Sequence, residues 1–239
     1  MEKTNPTMLL ISLFLLSGST AGGALLALKL GGSSAGYQPL FMGAPAAVGI
    51  FILQMTIYLS IRERLLFTIV FLATFCLTIF SFMFCLFAPI LWIEILPAYA
   101  KVIAVSILIA LCVSNYVKGS RDFARDWAAV RDPIAIGKIN RSRSTIAWEK
   151  VQRSLHHKVE IYIPGLPQGM SMAVGILSVI VMLVGLNMRS AFPVFSAFAW
   201  AIPCAFFSSI SFQLMAYRLA EAKKIREIQT ELDTRFKVA

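Results

Sequence analysis

The sequence predicts an all-α polytopic membrane protein with six transmembrane helices, cytoplasmic amphipathic loop helices and a C-terminal cytoplasmic helical extension. Three observations predict it. Hydrophobic residues make up 58% of the 239 and charged residues only 14%, against the roughly one quarter charged that is usual in soluble domains. The apolar residues fall into runs long enough to cross a bilayer, about 20 residues for each helix. The interval Lys118 to Gly165 is the only long polar one, and it carries ten Lys or Arg against five acids.

Span one runs from Met8 to Leu30, with Lys29 its only charge. A cleaved signal peptide is the rival reading, but the apolar run continues past the small residues Ser19 and Ala21, and Glu2 cancels Lys3 in what should be a positive leader. The small residues of this span include Gly18 and Gly22, four apart, a spacing that lets a second helix approach closely. Gly31 to Gln38 reads as a turn, and span two as Pro39 to Ser60, ending at Arg62-Glu63-Arg64. The 52 residues from Leu65 to Tyr116 hold only Glu94 and Lys101 as charges and fit two spans, Leu65 to Leu86 and Ala98 to Tyr116, with Pro89 and Pro97 around the connection. Beyond the basic interval come span five, Gly169 to Leu186, and span six, Val194 to Tyr217, with a helix-disrupting Pro203. Arg218 to Phe236 has no Gly or Pro and keeps helical spacing at Leu219, Ala222, Ile225, Leu232 and Phe236, so span six is expected to continue as an amphipathic tail. The division is therefore a four-span half over 1–117, a basic loop over 118–167, a two-span half over 168–217 and a tail over 218–239.

Charge sets the expected orientation. Lys and Arg near span ends resist translocation, and six spans with both termini cytoplasmic place nineteen of the 22 basic residues inside, leaving out Lys29, Lys101 and Arg189. The expected location is a bacterial cytoplasmic (inner) membrane. The net charge of +10 follows from this topology, so nucleic acid is not an expected partner.

Two amphipathic helices are predicted within the loop. Arg121 to Asp132 aligns Phe123, Trp127 and Val130, with Ser120 as N-cap and Pro133 as stop, and Ile146 to Val159 aligns Trp148, Val151, Leu155 and Val159. A turn is expected between them, over Ile134 to Ser144. Basic helices with Trp in the apolar stripe suit an anionic leaflet or a protein subunit, so Phe123, Trp127, Trp148, Val151 and Leu155 are the expected docking anchors.

Catalytic chemistry has little to stand on. His156 and His157 are adjacent and read as solvated, and the cysteines Cys76, Cys85, Cys112 and Cys204 lie in apolar runs as packing residues. No catalytic residue, metal ligand or cofactor is assigned. Glu94 and Lys101 are a possible polar pair at the outer boundary. Gln54, Thr74, Thr78, Ser81, Ser106, Asn115 and the run Ser208 to Gln213 read as bonds between helices. Asn140-Arg141-Ser142 matches a glycosylation acceptor on the wrong side of the membrane. The expected function is a non-enzymatic subunit or scaffold of a larger membrane assembly, docking partners through loop and tail. The alternative is a homo-oligomeric channel or small-solute transporter.

Overall fold

The computed structural model describes residues 6–60, 65–94, 96–130, 145–155, 158–233 and 236–238. It is all-helical apart from one two-residue parallel pairing. The helices are α1 (Pro6–Gly31), α2 (Ser33–Ser60), α3 (Leu65–Phe87), α4 (Ala98–Ala129), α5 (Trp148–Ser154), α6 (Gln168–Asn187) and α7 (Pro193–Glu231). A 3-10 turn, Ala88–Leu91, follows α3, and β1 (Thr145–Ile146) pairs with β2 (Lys237–Val238). Six of the helices, all except α5, are long and apolar enough to cross a membrane.

The six expected spans are all present, but their ends differ in instructive ways. The expected turn at Gly31 to Gln38 contracts to Gly32, whose φ of +83° is the left-handed conformation glycine adopts without strain. Pro39 and Pro45 therefore lie inside α2. Span four does not stop at Tyr116, and Ser120 is not an N-cap: α4 is one helix of 32 residues. Gly119 resembles a helix breaker but has a packing reason to be there. A Cβ on it would overlap the main-chain carbonyl of Gln213 on α7. The two backbones can meet at this level only because one has no side chain. The boundaries at 117 and 217 thus fall inside continuous helices.

The central element is α7. Its buried face is made largely of small residues, Ser196, Ala197, Ala199, Ala201, Ala205, Ser208 and Ser209 among them, so that α3, α4 and α6 pack closely around it. Gly185 of α6 faces Ala199 in the same way. The helix continues through Pro203 to Glu231, as the absence of a breaker predicts. It ends earlier than the apolar spacing implied, because Asp233 turns the chain back with φ +47°. Phe236 is then 1% exposed, and its carbonyl accepts a hydrogen bond from Leu65 N at 3.1 Å.

Helices α1, α2 and α3 form a lateral group whose interior polar residues bond to each other. Gln54, fully buried, donates to Thr78 Oγ1 at 2.8 Å and to the Thr74 carbonyl at 3.1 Å, and accepts from Ser12 Oγ. An apolar medium offers no water to an unpaired amide, which is why such a group joins helices here. Replacing Gln54 by Ala is expected to lower stability in detergent by about 1–2 kcal/mol, as measured by thermal unfolding, while Thr56→Ala, whose hydroxyl bonds only its own helix, changes little.

The predicted cross-helix role of the serines on α7 is only partly seen. Ser209 and Ser211 hydroxyls donate back to Phe206 and Ser208 carbonyls of α7 itself, and Gln213 alone of that run reaches other elements.

Candidate functional site

The C-terminal parts of α4 and α7, the start of α3, α5 and the returning C-terminus gather at one end of the bundle, called here the basic pole. Its apolar layer contains the residues read from the sequence as docking anchors. Phe123 is 5% exposed, Trp148 3%, Val151 0% and Leu155 3%, and Trp127 is half-buried. The rings of Phe123 and Trp127 stack at 5.8 Å, those of Trp127 and Trp148 at 6.1 Å, and Phe123 meets Tyr217 edge-on at 5.2 Å. Around Trp148 and Val151 pack Leu65, Ile69, Ile225, Ile228 and Phe236. The expected docking face is therefore occupied by the chain itself. Periodicity shows which face of a helix is apolar, but not what covers it.

The second loop helix is correspondingly shorter than Ile146 to Val159. Thr145–Ile146 pair with the C-terminal strand, and 158–163 are irregular. The carbonyls of this irregular segment are used by side chains of the bundle. Asn115 Nδ2 donates to the Tyr162 carbonyl at 2.9 Å. With the Gln213 amide turned so that both of its polar atoms find partners, its nitrogen donates to the Glu160 carbonyl at 2.8 Å and its oxygen accepts from Lys118 Nζ at 3.2 Å. These bonds replace those a helix would have made.

Glu221 is the polar centre of the pole. It is fully buried on α7, and its Oε1 accepts from Trp148 Nε1 at 2.5 Å and from Gln152 Nε2 at 2.6 Å, while Arg218 donates to Oε2 at 2.7 Å. A buried carboxylate is tolerated only when its lone pairs are satisfied and a cation is near, and here three donors do so. A second row lies along α4, where Asp122 is paired with Lys118 at 2.5 Å and with Arg125 at 3.5 Å. Tyr217 OH donates to Asp126 Oδ2 at 3.4 Å. With the apolar stripe turned inward, Arg121, Arg125, Lys150, Arg153, Lys223 and Arg226 are left exposed on the outside.

The other residues singled out in the sequence lie apart from this pole. On α1 the close approach within the chain belongs to Gly23, where a Cβ would come within 2.5 Å of the Cys85 carbonyl oxygen. Gly18 is exposed with nothing within 4 Å of a Cβ, and Gly22 meets only Leu86 at 3.7 Å. Among the described residues, nothing covers α1 at Gly18, which leaves room there for a helix from outside this chain. Glu94 is exposed and Lys101 half-buried at the opposite pole, and no ion pair joins them among the described residues. The four cysteines are buried and unbridged, packed as apolar residues. His156, His157, Arg62-Glu63-Arg64, the turn over Ile134 to Ser144, the stop at Pro133 and Asn140-Arg141-Ser142 lie outside the described residues.

Sequence reasoning missed Glu221 and Gly119, and it read Asn115 as a bond between helices where it bonds the Tyr162 carbonyl of the loop. For Glu221 there was a usable signal. It is the only acid among Arg218, Lys223, Lys224 and Arg226, and it lies three residues before Lys224 and four before Ile225, on the margin of the apolar stripe. Its partners in the loop, 69 and 73 residues away, carry no such signal.

Among the described residues the fold is helical, with six helices long and apolar enough to cross a membrane, as in an integral membrane protein, and a packed basic pole. No protein family, curated protein or solved structure matches the chain.

Proposed function

We propose that this chain is a non-enzymatic subunit or scaffold of a larger assembly in the bacterial inner membrane, with its basic pole and both termini on the cytoplasmic side. The observation that carries the reading is the closed basic pole. Its aromatic residues are consumed in holding α4, α5 and α7 together, so it presents a preformed charged platform to a partner. Docking through charge rather than through the apolar stripe is the form of the proposal that this packing supports. An acidic protein surface, or the anionic leaflet beside it, is the complementary partner.

Copurification from mild detergent, read by native mass, tests it. Foreign subunits in fixed stoichiometry, lost on raising the salt and on the double change Arg125→Glu and Lys150→Glu, are the expected result. A complex of identical chains that conducts ions in bilayers would overturn it in favour of a channel or transporter. That second reading draws on one observation, the open surface at Gly18, where a second copy has room to approach.

Orientation has its own test. A reporter active only in the cytoplasm is expected to be active when fused after Lys138 or Ala239 and silent after Ser34 or Glu94. Activity at Ser34 would reverse the assignment of sides.

A further inference from the structure

We propose that a cavity at the basic pole binds the phosphodiester of a membrane phospholipid, with an acyl chain lying along α6. This inference is independent of the subunit reading, since it concerns the isolated chain. The cavity, of about 350 Å³, lies between α4 and the irregular segment 158–163. Lys118, Arg125 and Lys158 bring three positive charges to its lining and Asp122 and Glu160 two negative ones. Lys118 and Arg125 are already paired with Asp122, and Arg125 also with Asp126 at 3.2 Å, whereas Lys158 is exposed and has no ion pair among the described residues, so it is the cation left for an anionic ligand. Gln168 also lines the cavity and is the first residue of α6, whose preceding Pro167 gives no side-chain cap. The unpaired N–H groups of a helix start add to the preference for an anion.

The apolar part adjoins directly. A second cavity, of about 740 Å³, shares Lys158, Glu160, Ile161 and Gln168 with the first and continues along α6 past Met172 and Ile176. Those two side chains are 62% and 55% exposed on a membrane-crossing helix. Charge at one end and an apolar trough at the other require an amphiphile, which a free anion or a hydrocarbon does not satisfy. The depth is also right. Lys118 comes about 20 residues into α4, hence about 30 Å along its axis, one hydrocarbon thickness from the helix start. The cavity therefore opens at headgroup level.

Native mass spectrometry of delipidated protein tests the proposal, with phosphatidylglycerol, diacylglycerol and glycerol 1-phosphate as probes. Phosphatidylglycerol is expected to be retained at one site, and the other two are not expected to bind at the same concentrations. Lys158→Glu, which reverses an exposed charge outside any helix, and Ile176→Trp, which fills the trough, are each expected to weaken retention about tenfold. Lys101→Glu, the same charge change at the far pole, is expected to leave it unchanged. Equal retention of diacylglycerol would overturn phosphate recognition, and equal binding of glycerol 1-phosphate would overturn the lipid in favour of a soluble anion. Retention unchanged in both variants, with thermal unfolding like the parent's, would overturn the site itself.

Discussion

Trp148→Ala is expected to destabilise the protein by about 3–5 kcal/mol, the range for deleting a large buried aromatic side chain. The side chain fills the space between the start of α3 and the far part of α7, and its N–H supplies one of the three bonds to buried Glu221. Removing it opens a cavity and leaves a carboxylate short of a donor in the same step. Trp148→Phe keeps much of the volume but loses the donor, so about 1–3 kcal/mol is expected. Thermal unfolding in detergent and the protein level in membranes are the measurements. Both should fall for the alanine variant, whereas Lys150→Glu, on the exposed face, stays within about 0.5 kcal/mol of the parent. If Trp148→Ala melts and accumulates like the parent while a partner is lost, the tryptophan is a docking anchor after all and the closed basic pole is wrong.

Gly119→Ala is the second large effect, and two principles predict opposite signs for it. Helix propensity favours alanine over glycine by about 1 kcal/mol. Packing opposes it, because the new Cβ meets the main chain of Gln213, which cannot rotate away as the end of a side chain would. Overpacking of this kind costs about 1–3 kcal/mol, and more where backbone must move. The helices α4 and α7 would separate at the level where Lys118, Gln213 and Glu160 are joined, so those bonds weaken with it. A net loss of about 2 kcal/mol or more is expected. Gly18→Ala provides the comparison. Nothing lies within 4 Å of its Cβ position, so propensity acts alone and stability is unchanged or slightly raised. A Gly119→Ala variant more stable than the parent would show that the two helices do not touch there.

The sequence alone determined the six helices long and apolar enough to cross a membrane, the continuity of the last helix into the tail, and the polar bonding of Gln54 and Thr78. These are local properties. A bilayer requires each crossing segment to satisfy its own backbone and to be apolar along its length, so hydropathy and length carry the information. The aromatic positions of the loop were also legible as an apolar stripe, since helical spacing is a local signal as well. What covers the stripe was not. Trp148 meets Glu221 across 73 residues, Asn115 meets Tyr162 across 47, and Gly119 meets Gln213, and nothing in any of these segments names its partner. Gly119 in particular looks like a break in the chain when read locally and becomes a point of closest contact once α7 is in place. The tertiary structure also decided that the tail returns through Asp233 to bury Phe236 against α3, because satisfying that apolar face required elements from three distant parts of the chain. Whether a hydrophobic stripe is a docking surface or an interior depends on which distant segments reach it first, and that is a property of the packed bundle.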